Sequence, residues 1–472
     1  ALTGIQKIVG LHDFYDGAGT KFLIAALADG RLVTLDSTGI VATLVSGLAG
    51  DRLTTFVEGM NGSGTTAKRL FVFNGADTVR TTRGTTATTA VIDAATDPAD
   101  WSGTNQPEGG CLHRFRLWAF GNDNEPHRLY YSAALTPPNH EDFTGATAGS
   151  LNVFPGEGER IAAIHSYLGR LFIFKFPYGV YWVDEGLTSD AASVWTVRRL
   201  NSRVGMAGPL GIADTEDDCL FLGSDGLIHF LSGVKEFGDV RSSVVLYDKT
   251  SAFLREHVNL ARLSRAIVTY YAIRREVHIA FSEDNLLNRS RAVLDLHVPR
   301  RPMFHYSDRD VVEAMTLRRD ANGVHRVIIG GDDGRAWELD RLPRNKAGEG
   351  YTGEFWTKPV PIMGGLRRGN LHWLDVTATL GPGQTKLTVE VELDGKVTQT
   401  LEYTIGGAVL RWDVGAWGTG VWGGQPDETR TLRKRVTGDA RYVRFRCRNA
   451  NLDENFSVSR MVLWVSPGNN RP

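Results

Sequence analysis

Short apolar runs alternate with breaks rich in Gly, Asp and Asn along most of this chain. Over its first three quarters the pattern recurs about every 46 residues. Each copy pairs two apolar runs across a tight break. FLIAALADGRLVTLD breaks at Asp29-Gly30, RLFVFNGADTVRTT at Gly75, and FRLWAFGNDNEPHRLYYS at Gly121. RLFIFKFPYGVYWVDE breaks near Pro177-Tyr178-Gly179, CLFLGSDGLIHFLSG at Asp225-Gly226, AIVTYYAIRREVHIAF near Arg274, and VHRVIIGGDDGRAWELD at Asp333-Gly334. Such turns need a positive φ or a side chain that caps its own backbone, so Gly, Asn and Asp collect there. One antiparallel hairpin cannot bury both of its faces. A radial array of small sheets can, and the repeat therefore predicts a β-propeller of about six or seven blades over residues 1–340.

Helical periodicity is rare. The best stretch, SAFLREHVNLARLSRAI, predicts a helical insertion near 251–267 between two blades, with Ser251 as N-cap. The Thr/Ala/Gly-rich segment from Arg83 to Gly110 predicts weak strands and a long surface connection. The repeat stops near Asp340, and the polar stretch 341–352 is the expected linker. Beyond it the strands lengthen: LHWLDVTATL, KLTVEVELDGKVTQTLEYTI, ARYVRFRCRN and FSVSRMVLWVS. Asp394-Gly395 marks a hairpin within them. Residues 353–472 are thus expected to form a separate β-sandwich, a platform-like domain, and the whole chain to be all-β.

Composition narrows the function. The chain has 472 residues, 42% hydrophobic and 23% charged, as in an ordinary globular protein. No apolar run is long enough for a membrane helix, and ALTGIQKIVG has no signal-peptide pattern. Fifty-three Lys and Arg against fifty-four Asp and Glu leave a net charge of −1, so overall charge does not drive the protein onto phosphate. Cys111, Cys219 and Cys447 are far apart and odd in number. They argue against a disulfide framework, and no pair has zinc spacing.

No motif for catalysis emerges. There is no phosphate-binding G-x-x-x-x-G-K-S/T loop, no G-x-S-x-G elbow and no H-E-x-x-H helix. Gly331–Trp337 and Ser224-Asp225-Gly226 come nearest to the Asp box of sialidase propellers, but both have Asp and Gly adjacent rather than separated. The acidic clusters Asp214–Asp218 and Gly331–Gly334 suit turns better than Ca²⁺ loops. His113, His127, His140 and His165 have no ligand spacing. No cofactor and no metal site is expected. Interface candidates lie in the second domain. Arg444, Arg446 and Arg448 alternate with Val443, Phe445 and Cys447, which places three guanidinium groups on one face of a strand and an apolar row on the other. Arg433, Lys434 and Arg435 form a second basic run. Trp412, Trp417 and Trp422 recur every five residues in a Gly-rich stretch, and pack either on their own domain or in an assembly interface.

Three ordered blocks resemble tail proteins of tailed phages. They are His113–Ala119 with Gly121–Ser132 and Asp142-Phe143; Tyr167–Lys175 with Val180–Val183; and Phe221–Leu227 with Phe237–Arg241. The Trp-rich stretch 412–422 is similar to such sequences as well. The family resembled is the tail hub or nozzle protein of short-tailed phages. The resemblance implies a structural protein of the virion tail, assembled in the host bacterial cytoplasm. It implies a homo-oligomer, a hexameric ring, below a tail adaptor protein and next to tail fibres or a tail needle. Genomic DNA would pass along the ring without sequence-specific binding. Near-zero net charge suits such a conduit, because many phosphate contacts would retard transit. The resemblance carries no catalytic residues. The alternatives are a propeller glycosidase or depolymerase, marked by convergent carboxylates at the propeller mouth, and a glycan-binding receptor module.

Overall fold

A computed structural model describes residues 6–467 apart from short stretches, the longest being 185–194, 232–247, 340–351 and 411–420. The chain divides into two compact units, residues 1–339 and 340–472.

The first unit is a seven-bladed β-propeller. Seven antiparallel sheets of three or four strands follow one another along the chain, each with its strands in sequence order. Their first strands begin at Ile8, Thr55, Gly109, Arg160, Ile212, Ile267 and Ala314, so the true repeat runs 47 to 55 residues. Six of the seven motif copies are the second and third strands of a blade. The AIVTYYAIRREVHIAF copy is the first and second, Ile267–Tyr271 and Glu276–Phe281. That one turn is built differently: Arg275 takes the left-handed conformation, with no Asp-Gly pair. Elsewhere the expected chemistry is present. Asp29, Asp225 and Asp333 each accept the backbone N–H two residues on, at 3.1 Å. Gly30 follows at φ +82°, and a side chain there would strike the Leu48 carbonyl.

Middle strands such as Lys68–Phe73 and Arg170–Phe176 are buried along nearly their whole length, because each blade is covered on both faces. Seven apolar clusters fill the seven gaps between neighbouring blades. The one that closes the ring joins Ile8, Leu11, Leu23 and Ala25 of the first blade to Ala314 and Ile328 of the seventh. Hydrogen bonds reinforce this closure: Ile8 N–H donates to the Gly331 carbonyl at 3.0 Å, and Arg319 N–H to the Asp13 carboxylate at 3.2 Å.

The insertion before blade 6 is an α-helix, Asp248–His257, followed by a 3-10 turn, Leu260–Arg265. Ser251 is not its N-cap but lies inside it, buried. The 3-10 turn is capped by Asn259, whose side chain accepts from Ala261 N–H. In the 83–110 segment, Ala90–Val91 forms the fourth strand of blade 2, and Trp101 is buried against Tyr130 and Phe143.

The second unit is a β-sandwich. One sheet joins Gly353–Trp356, Val360–Pro361, Tyr442–Asn449, Thr385–Leu393 and Lys396–Ile405. The other centres on Gly369–Leu380, flanked by Phe456–Pro467 on one side and by Thr429–Arg435 and Asp439–Ala440 on the other. Leu374, Val376, Leu387, Val389, Val443, Phe445 and Cys447 interleave in the core between them. Asp394-Gly395 turns the hairpin with both φ angles positive, as a two-residue loop requires.

Candidate functional site

Every innermost strand of the propeller is entered from the same end, so the residues just before those strands form one mouth. They include Lys7, Asp51, Arg52, Glu108, Arg160, Ser264, Arg265 and Glu313. An ion-pair network links four blade entrances. Lys7 pairs with Asp51 and, at 3.5 Å, with Glu313. Arg265 reaches Asp51 at 3.4 Å and Glu313 at 3.7 Å. Glu313 is almost fully buried and also accepts Asn288 N–H at 2.7 Å. Burial pushes the Asp51 carboxyl up, but the hydrogen bonds and charges of Lys7 and Arg265 outweigh it and hold Asp51 below the ordinary carboxylate range. Beside the network lies a cleft of about 170 Å³ lined by Arg52, Asn74, Glu108, Arg160, Ser264 and Arg265. Among the described residues Glu108 is the one carboxylate lining it, and it bonds Arg160 at 2.5 Å. Most glycosidases use two carboxyl groups facing each other across the scissile bond, and sialidases use a Tyr nucleophile. The cleft instead offers three guanidinium groups and a single, occupied carboxylate.

The far ends of the innermost strands carry a second ring of polar contacts. His12 bonds Glu58 at 3.3 Å, and Lys68 bonds the other Glu58 oxygen at 2.6 Å. Asp13 is pushed above its ordinary range by burial. His140 is a buried core histidine held between Met60 N–H and the Phe115 carbonyl, and burial pushes its pKa down. His165 is different. Its Nε2 lies 2.8 Å from Asp214 Oδ1, and Asp214 stands directly opposite Cys219 in the first hairpin of blade 5. The Nε2, carboxylate and Sγ atoms of these three residues all lie within 4.8 Å of one another. Spacing along the chain hides this cluster, because His165 is 49 residues from Asp214. The acidic run that contains Asp214 is, as expected, a turn: Thr215 N–H and hydroxyl both donate to the Asp218 carbonyl at 2.7 Å.

In the sandwich the basic rows have partners. Val443, Phe445 and Cys447 point into the core, and Arg444, Arg446 and Arg448 point out, as the alternation requires. The outward face is not a bare cationic surface, however. Arg446 pairs with Glu354 at 2.7 Å and Glu390 at 3.3 Å. Arg444 donates to the Thr357 carbonyl and lies 4.0 Å from Glu392. Both guanidinium groups stack on Trp356, at 4.1 and 4.8 Å from its ring centre. Arg448 ends the row, exposed. On the other sheet Arg433 grips Asp375 through two bonds, 2.6 and 2.8 Å, and lies over Trp464, whose indole N–H donates to the same carboxylate at 2.8 Å. These bonds hold the Asp375 carboxyl down at about 2. Lys434 turns to the opposite face, 5.8 Å from the Tyr403 ring, while Arg435 is exposed opposite Trp373.

Trp412 and Trp417 lie outside the described residues, as does the side chain of Trp422. The exposed tryptophans among the described residues are others: Trp373 and Trp464, 42% and 50% exposed and directly opposite each other on adjacent strands, and Trp356. Trp373 keeps the parity of Asp375, Thr377 and Thr379, and a β-bulge between Leu371 and Trp373 returns Leu371 to the core.

Fold and surface together define an all-β protein whose first unit is a propeller. Its likenesses among solved structures are at fold level. The extracellular domain of a hybrid two component system protein, BT3049 of B. thetaiotaomicron, is 11% identical with a TM-score of 0.48; the match covers 98% of this chain and 55% of that one. BBS1N, solved in complex with ARL6DN, is 14% identical with a TM-score of 0.45, over 72% of this chain and 94% of that one. The β-propeller domain of Myceliophteria thermophila Cps50 (Swd1) is 12% identical with a TM-score of 0.39, over 70% and 98%. No protein-family model and no curated protein matches the chain. Among the described residues no helix is long and apolar enough to cross a membrane.

Proposed function

We propose that this chain is a structural protein of a short-tailed phage virion, the nozzle ring that extends the DNA channel below the portal and adaptor, retains the packaged genome and passes it at infection. The observation that carries this reading is the order of the resembling blocks, 113–143, 167–183 and 221–241, in a chain that joins a propeller to a sandwich. Two surface features support it. At the propeller mouth the carboxylates Asp51, Glu108 and Glu313 are all held in ion pairs, an arrangement that suits a structural role. The sandwich exposes Trp356, Trp373 and Trp464 in settings of aromatic and Arg side chains, the composition that interface centres favour. In this reading the DNA conduit lies between copies, on the ring axis. The axis of each propeller is not the conduit, since the Lys7–Asp51–Arg265–Glu313 network bridges its entrance. The partners are five further copies, the adaptor above, and fibres or a needle beside or below.

Antibody against the chain, imaged on intact virions from a producing culture, tests the reading. Label at the distal end of a short tail is the expected outcome. Unlabelled particles, or a chain that stays monomeric in solution and in the particle, would overturn it.

A further inference from the structure

We propose that His165, Asp214 and Cys219 form a binding site for a zinc-class divalent cation that clamps blade 4 to blade 5. The inference is independent of the nozzle reading. It starts from placement. Asp214 ends the strand Ile212–Asp214 and Cys219 opens Cys219–Leu222; the two are register partners, so their side chains share one face of the hairpin. His165 comes from the innermost strand of the neighbouring blade, Arg160–Tyr167.

The donor set is one imidazole nitrogen, one carboxylate oxygen and one sulfur, all within 4.8 Å of one another. Tetrahedral zinc, with bonds of about 2.0–2.3 Å, places its ligand atoms about 3.5 Å apart. Contraction by little more than an ångström would close the set. Asp214 can supply much of that movement, since its side chain is about half exposed. Calcium and magnesium are poor fits, because they need several oxygens and this cluster has one carboxylate. A thiolate and a carboxylate together cancel the charge of a divalent ion, so the filled site is neutral. Cys219 is fully buried among Phe172, Phe174 and Phe221, which gives the sulfur a dry floor. The side of Asp214 stays open for entry of the ion and for a water as fourth ligand. Binding replaces the S–H bond of Cys219 with a metal–sulfur bond and releases one proton; no electron is transferred. Without the ion, His165 bonds Asp214 and the thiol stays protonated, since burial and the neighbouring carboxylate both push its pKa well up. The ion must therefore displace that proton on binding.

The test uses the full chain, stripped with chelator and titrated with Co²⁺. One equivalent per chain should bind, with a thiolate-to-cobalt charge-transfer band and the visible bands of a four-coordinate ion, both displaced by Zn²⁺. Cys219→Ser should lose the charge-transfer band. His165→Gln and Asp214→Asn should each weaken Co²⁺ binding roughly tenfold or more. Cys111→Ser should leave the band intact. Zn²⁺ should raise the melting temperature of the wild type and not that of Cys219→Ser. If Cys219→Ser fails to fold by circular dichroism, the two more exposed substitutions decide. No band in the wild type, a band retained in folded Cys219→Ser, or unchanged affinity in both His165→Gln and Asp214→Asn would overturn the proposal.

Discussion

Arginine is used differently in the two units. At the propeller mouth, Arg265 joins Asp51 and Glu313, residues brought together only by closure of the ring. On the sandwich, Arg444, Arg446 and Arg433 each face an acid directly across one strand pair: Glu392, Glu390 and Asp375. The first arrangement is non-local, and its central carboxylate, Glu313, is buried. The second is a set of register neighbours laid on exposed tryptophans. The difference teaches that paired charge has a structural value set by depth. A buried pair that loses one partner leaves an uncompensated ion, whereas an exposed pair is screened by water.

Breaking Glu313 should therefore have the largest effect. Glu313→Ala leaves Lys7 and Arg265 with Asp51 alone and frees Asn288 N–H, and should cost about 3 kcal/mol, read as a lowered midpoint in thermal or urea unfolding. A change too small to measure would show that the closing network is solvated after all.

The next two effects sharpen the contrast through pH. Lys175, fully buried with its ammonium bonded to the Val153 and Phe154 carbonyls at 3.0 Å, is pushed down by burial from the ordinary 10.5 to about 8. Between these values the unfolded chain holds the proton and the folded chain has released it, so stability should rise with pH across that window. Lys175→Met should remove the rise, measured as the pH dependence of the unfolding midpoint. Asp375 gives the same sign at the acid end. Its carboxyl is held down to about 2 by Arg433 and Trp464, so its contribution is present in full above the ordinary 3.8 and is lost as pH falls toward 2. Asp375→Asn should flatten that acid limb and leave neutral-pH behaviour less affected than Glu313→Ala does.

Smaller effects on folding are expected at the surface. Trp373→Ala should leave the melting temperature nearly unchanged and shift assembly of the proposed ring to higher protein concentration, seen by analytical ultracentrifugation; the reverse pattern would assign Trp373 to the sandwich alone. Arg448→Ala, at the exposed end of its row, should change neither stability nor assembly measurably.

Much of this architecture is legible in the chain. The Asp-Gly turns at 29–30, 225–226 and 333–334 stand where they are expected, because a positive φ and a self-capping carboxylate are local demands. The outward facing of Arg444 and Arg446 is also local, following from a period of two. Their acidic partners are not, since Glu354 and Glu390 lie 92 and 56 residues away from Arg446. Ser251 misleads because a serine ahead of an apolar run has the composition of a cap, while here the helix begins three residues earlier. Leu371 departs from the alternation of its strand, because one bulge shifts it.

By itself, then, the sequence determined the repeat, the all-β class and the turn chemistry, because dihedral preference and face alternation act over a few residues. Only the tertiary structure decided the number of blades and the seam between Ile8 and Ala314. It alone put Lys7, Asp51, Arg265 and Glu313 into one network and set His165 beside Asp214 and Cys219. Those meetings depend on ring closure and on strand register between blades. Distances across such a ring bear no fixed relation to distances along the chain.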